Sequence, residues 1–207
     1  MTRVYFVRHA QPDPSGGFNP EFPLTEQGAR DALLVRDILI DKGLDAVWSS
    51  SYLRAVQTVA PLADALGLEI HKDFRLHERT AGNWKGSYPD YASFIAEQIV
   101  DYSSKAEGGE SMEEVSERCV GAMSEILAEN DGRTIAVGIH GMALASLLKH
   151  WFPGFGLRDF EQIVDLMPLV LRLDIENDTC ADYGIELAVR RAYPDSYLQF
   201  RDVWSRK

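Results

Sequence analysis

Val4-Tyr5-Phe6-Val7-Arg8-His9-Ala10 is the stretch on which the reading of this chain turns. Its apolar run, β-branched and aromatic, is too short for a helix and reads as a buried strand. In an open α/β sheet, ligands bind in the crevice beyond the carboxyl ends of the strands. Arg8 and His9 are therefore delivered to the place where such folds do their chemistry. A guanidinium fixes anions, and an imidazole is a nucleophile or proton carrier. A strand that simply ends in polar residues would look the same on this dipeptide alone, so the decision rests with the rest of the chain.

Outward from that strand, the pattern alternates strand and helix. Pro12, Pro14, Gly16, Gly17, Pro20 and Pro23 make residues 11–23 a loop. Thr25 caps a helix predicted to run to about Lys42 and to end at Gly43. Ala46 to Ser49 reads as a second strand, followed by a helix from about Tyr52 to Leu66 with Gly67 as its stop. Pro61 predicts a kink or break inside that helix. Glu69–Arg75 reads as a third strand. Glu78–Glu110 is irregular and carries Trp84, Tyr88, Tyr91, Phe94 and Tyr102, with one short helix predicted around Tyr91–Val100. Ser111 and Glu114 form a capping box for the next helix. Thr134–Ile139 is a continuous apolar strand and Gly141–Trp151 the helix after it. Leu169–Ile175 and Ile185–Arg190 read as later strands, and Tyr197–Lys207 is unassigned. The expected architecture is α/β: a three-layer sandwich with a mostly parallel central sheet and helices on both faces. Residues 1–207 read as a single domain with an insertion at about 79–110 over the active site.

Composition narrows the function classes. With 207 residues, 45% hydrophobic and 26% charged, the chain has the make-up of an ordinary soluble globular protein. No apolar stretch approaches a membrane span, and Met1-Thr2-Arg3 leads straight into a strand without a signal-peptide hydrophobic region. Cys119 and Cys180 form no CxxC pair, so a reduced, cytoplasmic setting is expected. The net charge of −11 argues against nucleic acid or anionic membrane as the main partner. Eight of the acids, with one arginine, lie between Glu107 and Asp131 and read as a solvated helix face rather than a site. A protein this acidic needs a local cluster of cations to hold an anion.

Three strand ends supply that cluster. The first delivers Arg8-His9; the second delivers Ser49-Ser50-Ser51, with Arg54 in the opening turn of the following helix. Ile135-Ala136-Val137-Gly138-Ile139 delivers His140-Gly141. A helix N-terminus attracts anions through its free N–H groups and its dipole, so Arg54 and Gly141 both stand where a phosphate is welcome. Competing readings are weaker. His77-Glu78 begins like HExxH, but Ala81 fills the second histidine slot, so no zinc site is expected. Neither G-x-S-x-G nor a Walker A sequence occurs. His71 and His150 read as structural. The aromatic residues at 84–102 read as packing of the insertion on the core, with a pocket for an apolar or aromatic leaving group as the alternative.

Phe6-Val7-Arg8-His9-Ala10, Leu24-Thr25-Glu26-Gln27-Gly28, Ser49-Ser50-Ser51-Tyr52-Leu53-Arg54-Ala55, Leu76-His77-Glu78-Arg79, Gly109-Glu110-Ser111 and His140-Gly141 resemble, in order, the motifs of the histidine phosphatase, or phosphoglycerate mutase-like, superfamily. The resemblance covers roughly the first three-quarters of the chain. It implies that His9 attacks phosphorus to form a phosphohistidine, and that Arg8, Arg54 and His140 hold the phosphoryl oxygens with help from the Gly141 N–H. It also implies that Glu78 protonates the leaving oxygen and then activates water. The residues meet the physical needs of these roles. Arg8 and Arg54 disfavour a protonated His9, and a phosphate dianion favours the protonated form of a neighbouring carboxyl. The implied partner is a small phosphorylated metabolite. No metal ion or other cofactor is called for, because arginines and histidines neutralise the charge.

Ala10 replaces the usual glycine of the first motif, and Gln11 and Asn19 are the candidates for a further phosphate contact. Arg79 is a candidate for substrate binding. The expected function is a phosphomonoesterase. A cofactor-dependent phosphoglycerate mutase is the alternative, disfavoured because Lys85 is the sole cation from Thr80 to Ser104. A non-catalytic phospho-ligand binding protein would be expected to have lost His9 or Glu78. Tyr193, Tyr197, Phe200 and Trp204 read as core or interface, which leaves the oligomeric state open, a homodimer included.

Overall fold

Alternation along the first strand sets the layers. In the computed structural model, which describes residues 1–16 and 19–191, β1 spans Thr2–Arg8. Its Val4 and Phe6 enter one hydrophobic cluster, and Tyr5 and Val7 enter another. Successive side chains of a strand point to opposite faces, so the two clusters lie on the two sides of one sheet.

Among the described residues the sheet has six strands in the order β3-β2-β4-β1-β5-β6. They are β2 (Ala46–Ser50), β3 (Ile70–Asp73), β4 (Thr134–Ile139), β5 (Leu166–Glu176) and β6 (Thr179–Arg190), alongside β1. β3, β2, β4 and β1 run parallel, whereas β5 and β6 pair antiparallel. On one face lie α4 (Met112–Glu129) and α5 (Gly141–Trp151), whose Val115, Cys119, Met123, Leu144 and Leu147 pack with Val4, Phe6, Ile135 and Val137. On the other lie α1 (Glu26–Leu39) and α2 (Leu53–Leu66), whose Val35, Leu39, Val59 and Leu62 pack with Tyr5, Val7, Val47 and Ala136. The mostly parallel three-layer α/β architecture is as expected. Each fully buried large side chain of these clusters contributes about 1.5–3 kcal/mol. A third cluster joins α3 (Tyr91–Val100) and α6 (Leu157–Ile163) to α5.

Register fixes where the chemistry goes. Arg8 sits opposite Ile139, and Ser49 opposite Gly138, so the parallel strands β1, β2 and β4 end together. Gly138 is needed there: a Cβ on it would come within 2.7 Å of Ser49 Oγ.

Several boundaries differ from expectation. Pro61 does not break α2, which runs unbroken from Leu53 to Leu66. One missing N–H is a local loss, and Val59, Leu62 and Ala63, buried together on either side of it, hold both halves to the sheet. α1 stops at Leu39 rather than near Lys42, with Ile40 closing its last turn. β3 stops at Asp73 because that carboxylate accepts the Arg75 N–H (2.8 Å) and turns the chain into a short 3-10 segment, Phe74–Leu76. β5 and β6 are longer than read, forming a hairpin whose turn residues Asn177 and Asp178 both have positive φ (48° and 57°). The capping box at Ser111 and Glu114 forms as read. The residues left unassigned, 197–207, and the aromatics Tyr193, Tyr197, Phe200 and Trp204 lie outside the described residues. Among the described residues, no helix is long and apolar enough to cross a membrane.

Candidate active site

The His9 N–H extends the β1 ladder by donating to Ile139 O (3.0 Å), which brings the imidazole to the rim of the sheet, 4% exposed. Its Nδ1 lies 2.8 Å from Ala10 O. A carbonyl can only accept, so Nδ1 carries the proton and Nε2 keeps its lone pair. Burial first, then the charges of Arg54 and Arg8, push the His9 pKa well below the usual imidazole value. The ring is therefore neutral, with one defined basic nitrogen. Ala10 is fully buried, and its N–H donates to Thr58 Oγ1 (2.9 Å). The Thr58 hydroxyl in turn donates to Arg54 O (2.7 Å), which ties the His9–Ala10 segment to the first turn of α2.

Both arginines are anchored through Nη1. Arg8 donates from Nη1 to Ile163 O (2.7 Å) and Val164 O (2.9 Å) at the end of α6. A Cβ on Gly141 would lie 3.1 Å from Arg8 Nη2 and 3.2 Å from Cζ. That glycine lets the guanidinium lie against the first turn of α5. Arg54, 3% exposed, donates from Nη1 to Asn19 O (2.8 Å), and its Cζ lies 5.2 Å from the Tyr52 ring centre.

His140 is the N-cap of α5, fully buried, with its ring 5.2 Å from that of His9. Its Nε2 lies 2.8 Å from Ser50 Oγ, which also accepts the Tyr52 N–H (3.2 Å). With that oxygen accepting from Tyr52, the Ser50 proton is available to Nε2. In that arrangement the His140 proton is on Nδ1; with the proton on Nε2, Ser50 Oγ accepts from both Tyr52 and His140. Nδ1 is buried and has no hydrogen-bond partner among the described residues. Burial, followed by Arg54 and His9, pushes the His140 pKa well down, so it too is neutral.

Glu78 reaches the same helix end from another element. Its carboxylate accepts from Met142 N (3.1 Å to each oxygen), Ala143 N (3.2 Å) and Arg79 N (2.8 Å). It takes the N–H groups of Met142 and Ala143, the second and third of α5, and not that of Gly141, the first. One helix N-terminus thus serves the acid and carries His140 at its cap.

The remaining sequence candidates are placed differently. The Gln11 side-chain Oε1 accepts the Thr25 hydroxyl (3.0 Å), and Gln11 O accepts the Thr25 N–H (3.0 Å). Asn19 contributes its main-chain carbonyl to Arg54 rather than a side-chain amide. Arg79 is 2% exposed; its Nη2 donates to Tyr91 Oη (2.9 Å) and its Cζ lies 4.7 Å from the Phe94 ring centre. Sequence reasoning missed Ser50 as the partner of His140, although it lies inside the quoted serine run, and Thr58, one helical turn after Arg54. It also missed Glu110 and Arg118, which do not belong to a solvated face: they form a mostly buried ion pair (2.7 Å). Among the described residues, no three His, Cys, Asp or Glu side chains are grouped to hold a metal ion.

Two neutral imidazoles, two anchored guanidiniums and a carboxylate gather at one helix N-terminus, an arrangement whose chemistry suits an anion. The family model described as "Histidine phosphatase superfamily (branch 1)" matches residues 4–181. The chain belongs to that superfamily. Within it, the chain is 28% identical to phosphoserine phosphatase 1 of Hydrogenobacter thermophilus over 162 residues, 71% of this chain and 74% of the relative. It is 33% identical to the probable phosphoglycerate mutase GpmB of Yersinia pestis over 159 residues, 72% of this chain and 74% of the relative. Among solved structures, a mycobacterial glucosyl-3-phosphoglycerate phosphatase superposes with a TM-score of 0.69 at 21% identity, covering 89% of this chain and 97% of that one. Bacillus stearothermophilus YhfR superposes with a TM-score of 0.71 at 22% identity, covering 89% and 95%. The last two likenesses establish the histidine phosphatase fold. The first two establish kinship with both phosphatases and mutase-like proteins.

Proposed function

We propose that the protein is a phosphomonoesterase that works through a phosphohistidine at His9 on a small phosphorylated metabolite. One observation carries this reading: the bond from His9 Nδ1 to Ala10 O, which leaves a neutral, buried Nε2 as the nucleophile beside Arg8 and Arg54.

In the first half-reaction Nε2 attacks phosphorus. The ester P–O bond breaks, its electrons go to the leaving oxygen, and that oxygen takes a proton from Glu78. In the second, the Glu78 carboxylate takes a proton from water and the water oxygen attacks phosphorus. The P–N bond then breaks with its electrons returning to Nε2, and phosphate leaves. Arg8, Arg54, His140 Nδ1–H and the Gly141 N–H are the donors for the phosphoryl oxygens. Positioning and charge stabilisation supply most of the acceleration in such a transfer. The chemistry needs Glu78 to bring a proton to the leaving oxygen. We assign Arg79 to the substrate's leaving group, because its Nε and Nη1 are buried without a hydrogen-bond partner among the described residues. A guanidinium held that way favours an anion.

The test is hydrolysis of an aryl phosphate without added metal, with His9→Ala expected to abolish turnover and the trapping of labelled phosphate on the protein at neutral quench. Full activity in that variant would sink the mechanism. The likeness to the GpmB protein supports a second reading, a mutase in which the substrate takes the phosphoryl group back. It requires phosphoglycerate isomerisation to exceed hydrolysis and to depend on a bisphosphate primer.

A further inference from the structure

Glu78 is one residue in an otherwise irregular segment, yet its carboxylate must meet a leaving oxygen within a few tenths of an ångström to transfer a proton well. The main chain on both sides of it is held by a single ion pair. Arg118, on α4, donates from Nη1 to Arg75 O (2.6 Å) and to His77 O (2.8 Å), just before Glu78. Its Nε and Nη2 grip the two oxygens of Glu110 (2.7 and 3.0 Å). Glu110 Oε2 then accepts the Thr80 N–H (2.8 Å), and the Glu110 N–H donates to Thr80 O (2.9 Å), just after Glu78. Gln98 of α3, fully buried, donates to Glu110 O (3.0 Å) and ties the helix of the excursion to the same point.

The pair is bidentate and largely buried, with side chains 15% and 20% exposed, so it is far stiffer than a surface salt bridge. Burial raises the Glu110 carboxyl, but the bonds from Arg118 and Thr80 outweigh it and keep the group ionised. Arg118 spends its bonds on main-chain carbonyls and on Glu110.

We propose that Glu110 and Arg118 are positioning residues for proton transfer: their ion pair clamps residues 75–80 so that the Glu78 carboxylate is held at the N-terminus of α5, in reach of the leaving oxygen. This rests on Glu78 being the general acid. Neither residue bonds to Arg8, Arg54 or His140, so the clamp acts through Glu78.

The experiment compares kcat/KM, which reports only the steps up to phosphohistidine formation, on an alkyl phosphate, whose leaving oxygen needs a proton, and on 2,4-dinitrophenyl phosphate, whose leaving oxygen does not. Glu110→Gln and Arg118→Lys are each expected to lose on the order of 10- to 100-fold on the alkyl ester. On the dinitrophenyl ester each should lose less than about 3-fold, with inhibition by inorganic phosphate unchanged. In a Glu78→Gln background, adding Glu110→Gln should cost nothing further on the alkyl ester. Equal losses on both esters, no loss, or the same loss with and without Glu78 would overturn the clamp. If Glu78→Gln itself shows no preference between the esters, the general-acid reading falls and the clamp falls with it. A steep Glu78→Gln beside a flat Glu110→Gln removes the clamp alone. Arg118→Lys serves as the second variant should Glu110→Gln fail to fold, because it keeps the charge beside Glu110 and loses only the fork.

Discussion

His9, Arg54 and His140 stand at the ends of parallel strands or in the helix turn that follows them, and ladder bonds such as His9 N–H to Ile139 O set their backbone. Glu78 has no such support. It stands in an irregular segment after a short 3-10 turn, held by the Glu110–Arg118 pair and by its own carboxylate on α5. On the proposed function the difference would parallel a division of labour: the sheet would grip the phosphate, the same in every substrate, and the excursion from 78 to 111 would meet the part that varies. Grafting a variable region onto a rigid frame leaves the invariant chemistry intact while the leaving-group side changes.

Variants at the two regions should therefore fail differently. Arg8→Ala is expected to cut kcat/KM by about 10³-fold for good and poor leaving groups alike, as removal of a preorganised oxyanion donor does. Steady-state kinetics on the alkyl and dinitrophenyl esters checks it, and a strong leaving-group dependence would break the division. Gly141→Ala should be milder, about 10-fold and again independent of the leaving group, because the new methyl presses on Arg8 at 3.1–3.2 Å and displaces the grip without removing it.

Stability should carry a signature of the strand-end region. His9 and His140 are neutral in the folded state, with pKa values below the unfolded imidazole value of about 6.5. Below that pH the unfolded chain binds protons that the folded chain does not. Stability contributed by their burial is thus fully present above pH about 6.5 and is lost as pH falls toward the folded values. Denaturation midpoints measured from pH 7.5 to 5 should fall, and His140→Asn should make the fall shallower. An unchanged slope would mean that His140 is not held neutral. The smallest effect is expected in the excursion: Tyr91→Phe removes the bond to Arg79 Nη2, costing about 1 kcal/mol in urea denaturation with phosphate inhibition unaltered.

The same contrast explains what was legible. Strands such as β4 announce themselves through a continuous apolar run and helices such as α4 through periodicity and a cap, and residues at strand ends inherit their location from topology. Pro61 misled because a proline's local cost was read without the packing of Val59 and Leu62 that offsets it. Glu110 and Arg118 misled because an acidic run is usually a solvated face. Nothing local told that their partners are the carbonyls of Arg75 and His77, more than 40 positions away for Arg118.

Sequence alone determined the α/β alternation, the arrival of Arg8-His9, Arg54 and His140-Gly141 at strand or helix ends, and the residue types that suit a phosphoryl group. These are properties of short stretches, where periodicity and capping are local. Only the tertiary structure decided what His140 bonds to, why residue 141 is glycine, and what holds Glu78. Each depends on atoms that come from distant segments: the Arg8 guanidinium on the first turn of α5, Ser50 against His140, and Arg118 across the main chain around Glu78. Contacts of that kind arise when the sheet closes, and no window of the sequence contains both partners.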